Sequence, residues 1–374
     1  MAAVEELYRP GLEGIIAGET AISTVEQDDL AYRGYTIEEL AAKSNFPEVA
    51  YLLLQGELPT SEQLSDFVAQ LNAHRALPAK VLDVIRSIPK EAPGMDVLRT
   101  AVSMLGHFDV AKGDDRNAEI ARAAQLLGAV PSMIAARLRL LEGKEPLDPR
   151  PGLTHAAQFY YMTFGKEPNE IEERVLDLTF ILYAEHEYNA SAFAARVCTS
   201  TLSDMYSAIV TGIGTLKGPL HGGANEAAME MIGRFKSGDE ARAWCEQAIV
   251  NKEKIMGFGH RVYKNGDHRA RILEPLTRKL GDIANEQYRV DVYDAIKQTI
   301  WDRKQIHPNV DYPCGLAYFF MKLPIDSYTP LFVASRISGW AAHIIEQREN
   351  NRLIRPRSRY VGPAIRKYVP LDGR

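Results

Sequence analysis

Apolar residues recur along most of the chain at the three-to-four-residue spacing of amphipathic helices, and period-two alternation bounded by hairpin turns is scarce. After Pro59-Thr60, residues Leu64, Phe67, Val68 and Leu71 share one helix face, and Thr60 with Gln63 makes a capping-box pattern. Glu119 to Leu141 reads as a second helix, stopped by Gly143 and Pro146. Ile171 to Thr201 reads as one long helical run opened by Pro168-Asn169. Val175, Leu178, Thr179 and Leu182 line one side of it, and His186 lies inside it. The stretches around Ile15-Ile16 and Ala21-Ile22 leave room for one short strand pair. The pattern predicts a predominantly helical protein without internal repeats or low-complexity linkers.

Length and composition narrow this picture. The 374 residues exceed the roughly 100–200 of one domain, so two domains are expected. A formal charge of -5 gives no electrostatic reason to expect nucleic acid. No apolar run reaches the roughly 18 residues of a membrane span, and no secretory signal pattern opens the chain. Cys198, Cys245 and Cys314 are odd in number, far apart and without a C-x-x-C pair, which fits neither a disulfide framework nor a zinc site. A reducing cytoplasm is the expected location.

Glycines crowd two histidines in the second half of the chain. Gly212, Gly214, Gly218, Gly222 and Gly223 surround His221, which stands at or just before a helix start. There the helix dipole favours a neutral ring that donates one hydrogen bond to a carbonyl oxygen; a plain helix cap is the alternative. Ile255, Met256, Gly257, Phe258 and Gly259 precede His260, with Lys254, Arg261 and Lys264 nearby. This loop lacks both the Rossmann fingerprint and the P-loop pattern, and reads either as a cradle for a phosphate-rich nucleotide or as a tight turn beside a basic face. Arg269, Arg336 and Arg355 are candidates for bidentate carboxylate binding, with surface solubilisers as the alternative. Asp311, among apolar and aromatic neighbours, is a candidate base or an ordinary turn residue. His186 lies between glutamates, but H-E-x-x-H is absent and neighbouring residues face different sides of a helix, so no metal site is read here.

In order and spacing, these motifs resemble the citrate synthase family over nearly the whole chain. The resemblance rests on Gly11 to Ser23, on Tyr32-Arg33-Gly34-Tyr35, and on the stretches around His186, His221 and His260 to Arg269. It continues through Asn309-Val310-Asp311, Ser335 to His343, and Arg352-Leu353-Ile354-Arg355-Pro356. It implies an all-α fold of two domains with the active site in the interdomain cleft: residues 1–222 and 323–374 as the large domain, 223–322 as the small one. It implies Asp311 as base, His221 as donor to a thioester oxygen, and His260 as the group polarising a ketone. His186, Arg269 and Arg336 would hold oxaloacetate, together with Arg355 from a second subunit of a homodimer. Ile255 to Gly259, Arg261, Lys264 and Lys304 would meet coenzyme A, and no cofactor is implied beyond the acyl-CoA substrate. One departure stands out: the family usually has Asp-Pro-Arg where this chain has Asp267-His268-Arg269, so looser positioning of Arg269 is expected. A 2-methylcitrate synthase using propionyl-CoA shares the whole constellation. A catalytically silent coenzyme-A-binding or assembly protein and a histidine metalloprotein are the readings from other classes.

Overall fold

The computed structural model describes residues 8–26, 29–260, 263 and 265–374. Among them the chain forms sixteen α-helices and one small antiparallel sheet. The sheet comprises β1 (Ser23–Glu26), β2 (Asp29–Tyr32) and β3 (Tyr35–Thr36) in that order, with Ser23 opposite Tyr32 and Tyr32 opposite Tyr35. The strands thus begin just beyond the positions the sequence suggests. Ile16 is solvent-exposed between Gly14 and Gly18, with no ladder partner, whereas Ile22 is buried and anchors the start of β1.

The first ten helices are α1 (Ile37–Lys43), α2 (Phe46–Gln55), α3 (Ser61–Ala73), α4 (Ala79–Ser87), α5 (Gly94–Leu105), α6 (Arg116–Leu141), α7 (His155–Phe164), α8 (Glu170–Tyr183), α9 (Ala190–Ser200) and α10 (Met205–Leu216). Then follow α11 (Ala224–Gly233), α12 (Gly238–Val250), α13 (His268–Ala284), α14 (Gln287–Lys304), α15 (Asp311–Phe320) and α16 (Tyr328–Glu349). The expected capping box starts α3, with Thr60 and Gln63 each accepting the other's backbone N–H. Helices α6 and α16 are buried almost all round, pack against each other, and form the centre of the molecule. Helices α11 to α15 pack mainly among themselves: α12 on α14, α13 and α11 on α15. Helix α13 also rests on α8 and α1, which joins this group to the rest.

The long run from Ile171 to Thr201 is two helices, not one. α8 ends at Tyr183, residues 184–189 are non-helical, and Asn189 caps α9 by accepting from Ala192 N–H. The interruption is held from outside. The Tyr32 hydroxyl lies 3.0 Å from the Glu185 carbonyl oxygen and 3.2 Å from that of Ile181, offering a partner to carbonyls the helix leaves open. His186 therefore stands in a break between helices rather than inside one.

Candidate active site

Five segments converge: the α8–α9 break, the turn before α11, the loop before α13, the start of α15, and the middle of α16. The break presents His186, buried, with Nε2 2.9 Å from the Tyr263 hydroxyl. The rings of His186 and His260 stand 5.0 Å apart, and His260 lies 4.5 Å from Tyr263. The turn before α11 presents His221. Its Nε2 sits 2.8 Å from Ser191 Oγ and accepts the Ser191 backbone N–H at 3.2 Å. A neutral His221 therefore carries its proton on Nδ1, leaving that N–H as the donor. Ser191 is itself fixed, donating to Asn189 Oδ1 at 2.8 Å and accepting from Trp340 Nε1 on α16 at 3.1 Å.

The loops carrying His260 and Asp311 are stitched together. Gly259 N–H donates to His307 O at 3.0 Å, and Asn309 N–H donates to Gly257 O at 2.9 Å. The Asn309 side chain donates to Gly259 O at 3.0 Å while its Oδ1 accepts Asp311 N–H at 3.1 Å. Gly257 takes φ +84°, and a Cβ there would come within 2.9 Å of Tyr312. Only glycine allows this approach without strain. Asp311 is the first residue of α15, where the helix dipole favours an anion. Tyr183 donates to its Oδ1 at 2.7 Å.

Arg269 is not loosely held. Asp267 accepts from its Nε at 3.0 Å and from its terminal nitrogen at 2.9 Å. The same carboxylate accepts Val310 N–H at 2.9 Å, tying the arginine to the residue before Asp311. His268, in the place of the family's proline, has Nδ1 2.6 Å from Glu38 Oε1 on α1. Side-chain contacts thus do the work expected of the missing ring. Arg336 is buried, donates from Nε to Tyr183 O at 2.7 Å, and stacks over Phe332. Its terminal nitrogens meet no acceptor among the described residues, which suits an incoming carboxylate.

Burial and the two guanidiniums set the proton inventory. Burial pulls His221 down to about 4, with Arg336 assisting, and burial with Arg269 pulls His260 down to about 4. Burial, then Arg269, holds His186 well below the ordinary histidine range. Burial pushes Asp311 up to about 6 against the Tyr183 hydrogen bond and the Arg269 charge. Burial would raise Asp267 too, but Arg269 keeps it below the usual carboxylate value. At neutral pH the group therefore comprises ionised Asp311, three neutral imidazoles and two cationic arginines.

His186, His221, His260, Arg269, Arg336 and Asp311 all lie in this one cluster. Arg355 does not. It lies in the exposed segment after α16, where no helix or strand covers it. Ile255 to Gly259 border the cluster next to His260, and Lys304 is exposed at the end of α14. Arg261 and Lys264 lie outside the described residues. Sequence reasoning missed Tyr183, Ser191, Tyr263 and Asp267. Tyr263 and Asp267 stood inside motifs already singled out, and a buried arginine requires an acid partner, so Asp267 was within reach. Among the described residues no group of three or more His, Cys, Asp and Glu side chains is placed to hold a metal ion.

The profile described as "Citrate synthase, C-terminal domain" matches residues 11–357. The chain belongs to the citrate synthase family. The 2-methylcitrate synthase of Shewanella oneidensis is 44% identical over 100% of both chains. The citrate synthase of Mycolicibacterium smegmatis is 43% identical over 96% of each. The solved citrate synthase of Pyrobaculum aerophilum superposes with a TM-score of 0.91 at 38% identity, covering 98% of this chain and 95% of that one. That of Thermoplasma acidophilum, solved as a ternary complex with carboxymethyl coenzyme A and oxaloacetate, gives 0.93 at 34% identity over 99% and 100%. The chain is thus a condensing transferase by family, with the all-α architecture of its structural neighbours.

Proposed function

We propose that this chain is a citrate synthase, condensing acetyl-CoA with oxaloacetate to citrate and coenzyme A. The observation that carries the reading is one part-buried aspartate, raised to about 6, set among neutral imidazoles and two guanidiniums. A thioester methyl is a far weaker acid than any carboxyl group, so proton removal needs the enolate oxygen stabilised as it forms. Asp311 takes the proton through the carboxylate oxygen that Tyr183 leaves open. Nδ1–H of His221 donates to the thioester oxygen. The enol carbon then attacks the oxaloacetate ketone carbon, whose oxygen takes a proton at His260. Arg336, Arg269 and His186 hold the keto-acid, with Arg355 of the partner subunit completing the set in a homodimer. Water then cleaves the citryl thioester, and the sulfur leaves as the coenzyme A thiol.

Residues 223–322 form the small domain in this reading, and their closure on the large domain excludes water from the enolate. Ile255 to Gly259, with Lys304, Arg261 and Lys264, line the coenzyme A path. No further cofactor is required. The unpaired cysteines suit a reducing cytoplasm.

A second reading, 2-methylcitrate synthase, is favoured by the Shewanella relative, which matches along its whole length. The two acyl donors differ by one methylene, worth only about 1–3 kcal/mol in a pocket. Comparing kcat/KM for acetyl-CoA and propionyl-CoA, with oxaloacetate and thiol detection, decides between them. Acetyl-CoA is expected to win, and a clear propionyl-CoA preference assigns the second reading. Absence of thiol release with either donor from folded protein refutes both.

A further inference from the structure

Behind the cluster lies a buried ionic chain that the condensation does not use. Glu185 and His343 are both fully buried, with His343 Nε2 2.8 Å from Glu185 Oε1. On the far side of the ring, a terminal nitrogen of Arg196 stands 3.1 Å from His343 Nδ1 and 2.6 Å from Glu346 Oε2. Arginine only donates, so Nδ1 accepts, and the neutral ring directs its one proton from Nε2 at Glu185. Ser23 Oγ donates to the same Oε1 at 3.1 Å and accepts Glu187 N–H at 2.9 Å. The other carboxylate oxygen, Oε2, has no hydrogen-bond partner. It faces Gly339, where an added Cβ would collide with it. All the anchoring of this buried carboxylate therefore falls on Oε1.

Glu185 immediately precedes His186, in a stretch with no helical hydrogen bonds of its own. We propose that His343 is a positioning residue for keto-acid binding. Held in one tautomer by Arg196, it clamps Glu185 and so fixes where the α8–α9 break carries His186. The proposal rests on His186 as an oxaloacetate contact, as read above. Losing the Nε2 donor leaves Oε1 with Ser23 alone. The break then relaxes, and His186 shifts from its place against Tyr263 and His260. Acyl-CoA contacts lie on other segments and stay as they are.

Two substitutions separate this from a general packing role. In His343→Gln the side-chain amide reaches where Nε2 stood, and donation to Glu185 survives. In His343→Asn it reaches only where Nδ1 stood, so the bond to Arg196 survives and the clamp is lost. His343→Asn is expected to raise the oxaloacetate KM, and the oxaloacetate Kd by calorimetry, roughly ten-fold or more. The acyl-CoA KM should stay within about two-fold and His343→Gln near wild type. An unchanged oxaloacetate Kd in folded His343→Asn overturns the proposal. So does equal weakening of both KM values, or a Gln variant as impaired as the Asn variant. Should His343→Asn not fold, Ser23→Ala removes the second donor to Oε1, and the same selective rise is required of it; no rise overturns the proposal. The wild-type protein is the control for the underlying reading. If it neither releases thiol nor binds oxaloacetate, the functional reading fails too, whereas an active wild type with an indifferent His343→Asn sinks the clamp alone.

Discussion

At the scale of single residues, the opposed proton affinities of Asp311 and the two histidines define a working pH. With Asp311 near 6 and His221 and His260 near 4, base and donors are correctly charged only above about pH 6. The acyl-CoA kcat/KM is expected to fall below that pH with an apparent pKa near 6. Asp311→Asn should lower kcat by at least about 10²-fold across the range. A variant within ten-fold of wild type would remove Asp311 from the role of base. For stability the same shifts oppose one another. Asp311 is raised in the fold, so its contribution is present below pH 3.8 and lost as pH rises through about 6. The histidines are depressed, so theirs is present above 6.5 and lost as pH falls toward 4. Asp311→Asn is therefore expected to resist urea better than wild type at pH 8, and to keep only about half of that advantage near pH 5. An unchanged difference at the two pH values would show that burial of this charge carries no cost.

At the scale of elements, the decisive device is the seam between the 257–259 loop and the 307–309 loop, because it sets His260 against Asp311. Gly257→Ala places a Cβ against Tyr312 in a left-handed backbone conformation. A loss of about 1–3 kcal/mol is expected, with a lowered kcat and little change in oxaloacetate Kd. Urea denaturation and steady-state kinetics measure both, and a variant as stable and active as wild type would show the seam to be slack. The seam also shows what was legible beforehand. The glycines beside His260 and the Asn-Val-Asp motif were visible as separate signals. Their joining was not, since two of its bonds run between backbone atoms of segments about fifty residues apart, and backbone pairing leaves no mark on side-chain choice. Helices such as α3 and α6 could be read because cap and periodicity are local. The α8–α9 break was misread because what opens it, the Tyr32 hydroxyl, comes from a distant strand. The Asn189 cap was the one local clue. Lost proline stiffness at His268 suggested a loose Arg269, but the fork set by Asp267 and the contact with Glu38 are tertiary and could not be counted in advance.

At the scale of the whole molecule, Arg355 lies outside the cluster of histidines, arginines and Asp311, on a segment with exposed apolar side chains. After α16 the chain runs extended, with Val361 89% and Tyr368 80% exposed among arginines and lysines. In the homodimer proposed above, this exposed apolar segment is a surface that a second copy of the chain would cover. If Arg355 serves the partner's site, Arg355→Ala and Asp311→Ala damage different halves of each composite site. Each variant alone should be nearly inactive at ordinary oxaloacetate concentrations. Mixed by co-expression, about half of the dimers pair unlike chains, and each of these holds one site with Asp311 from one chain and Arg355 from the other. Activity should return to roughly a quarter of wild type per chain, with the wild-type oxaloacetate KM. Recovery requires exchange of subunits, so mixing preformed dimers without dissociation should restore nothing. If co-expression restores nothing either, while light scattering shows dimers, Arg355 acts on its own chain or not at all.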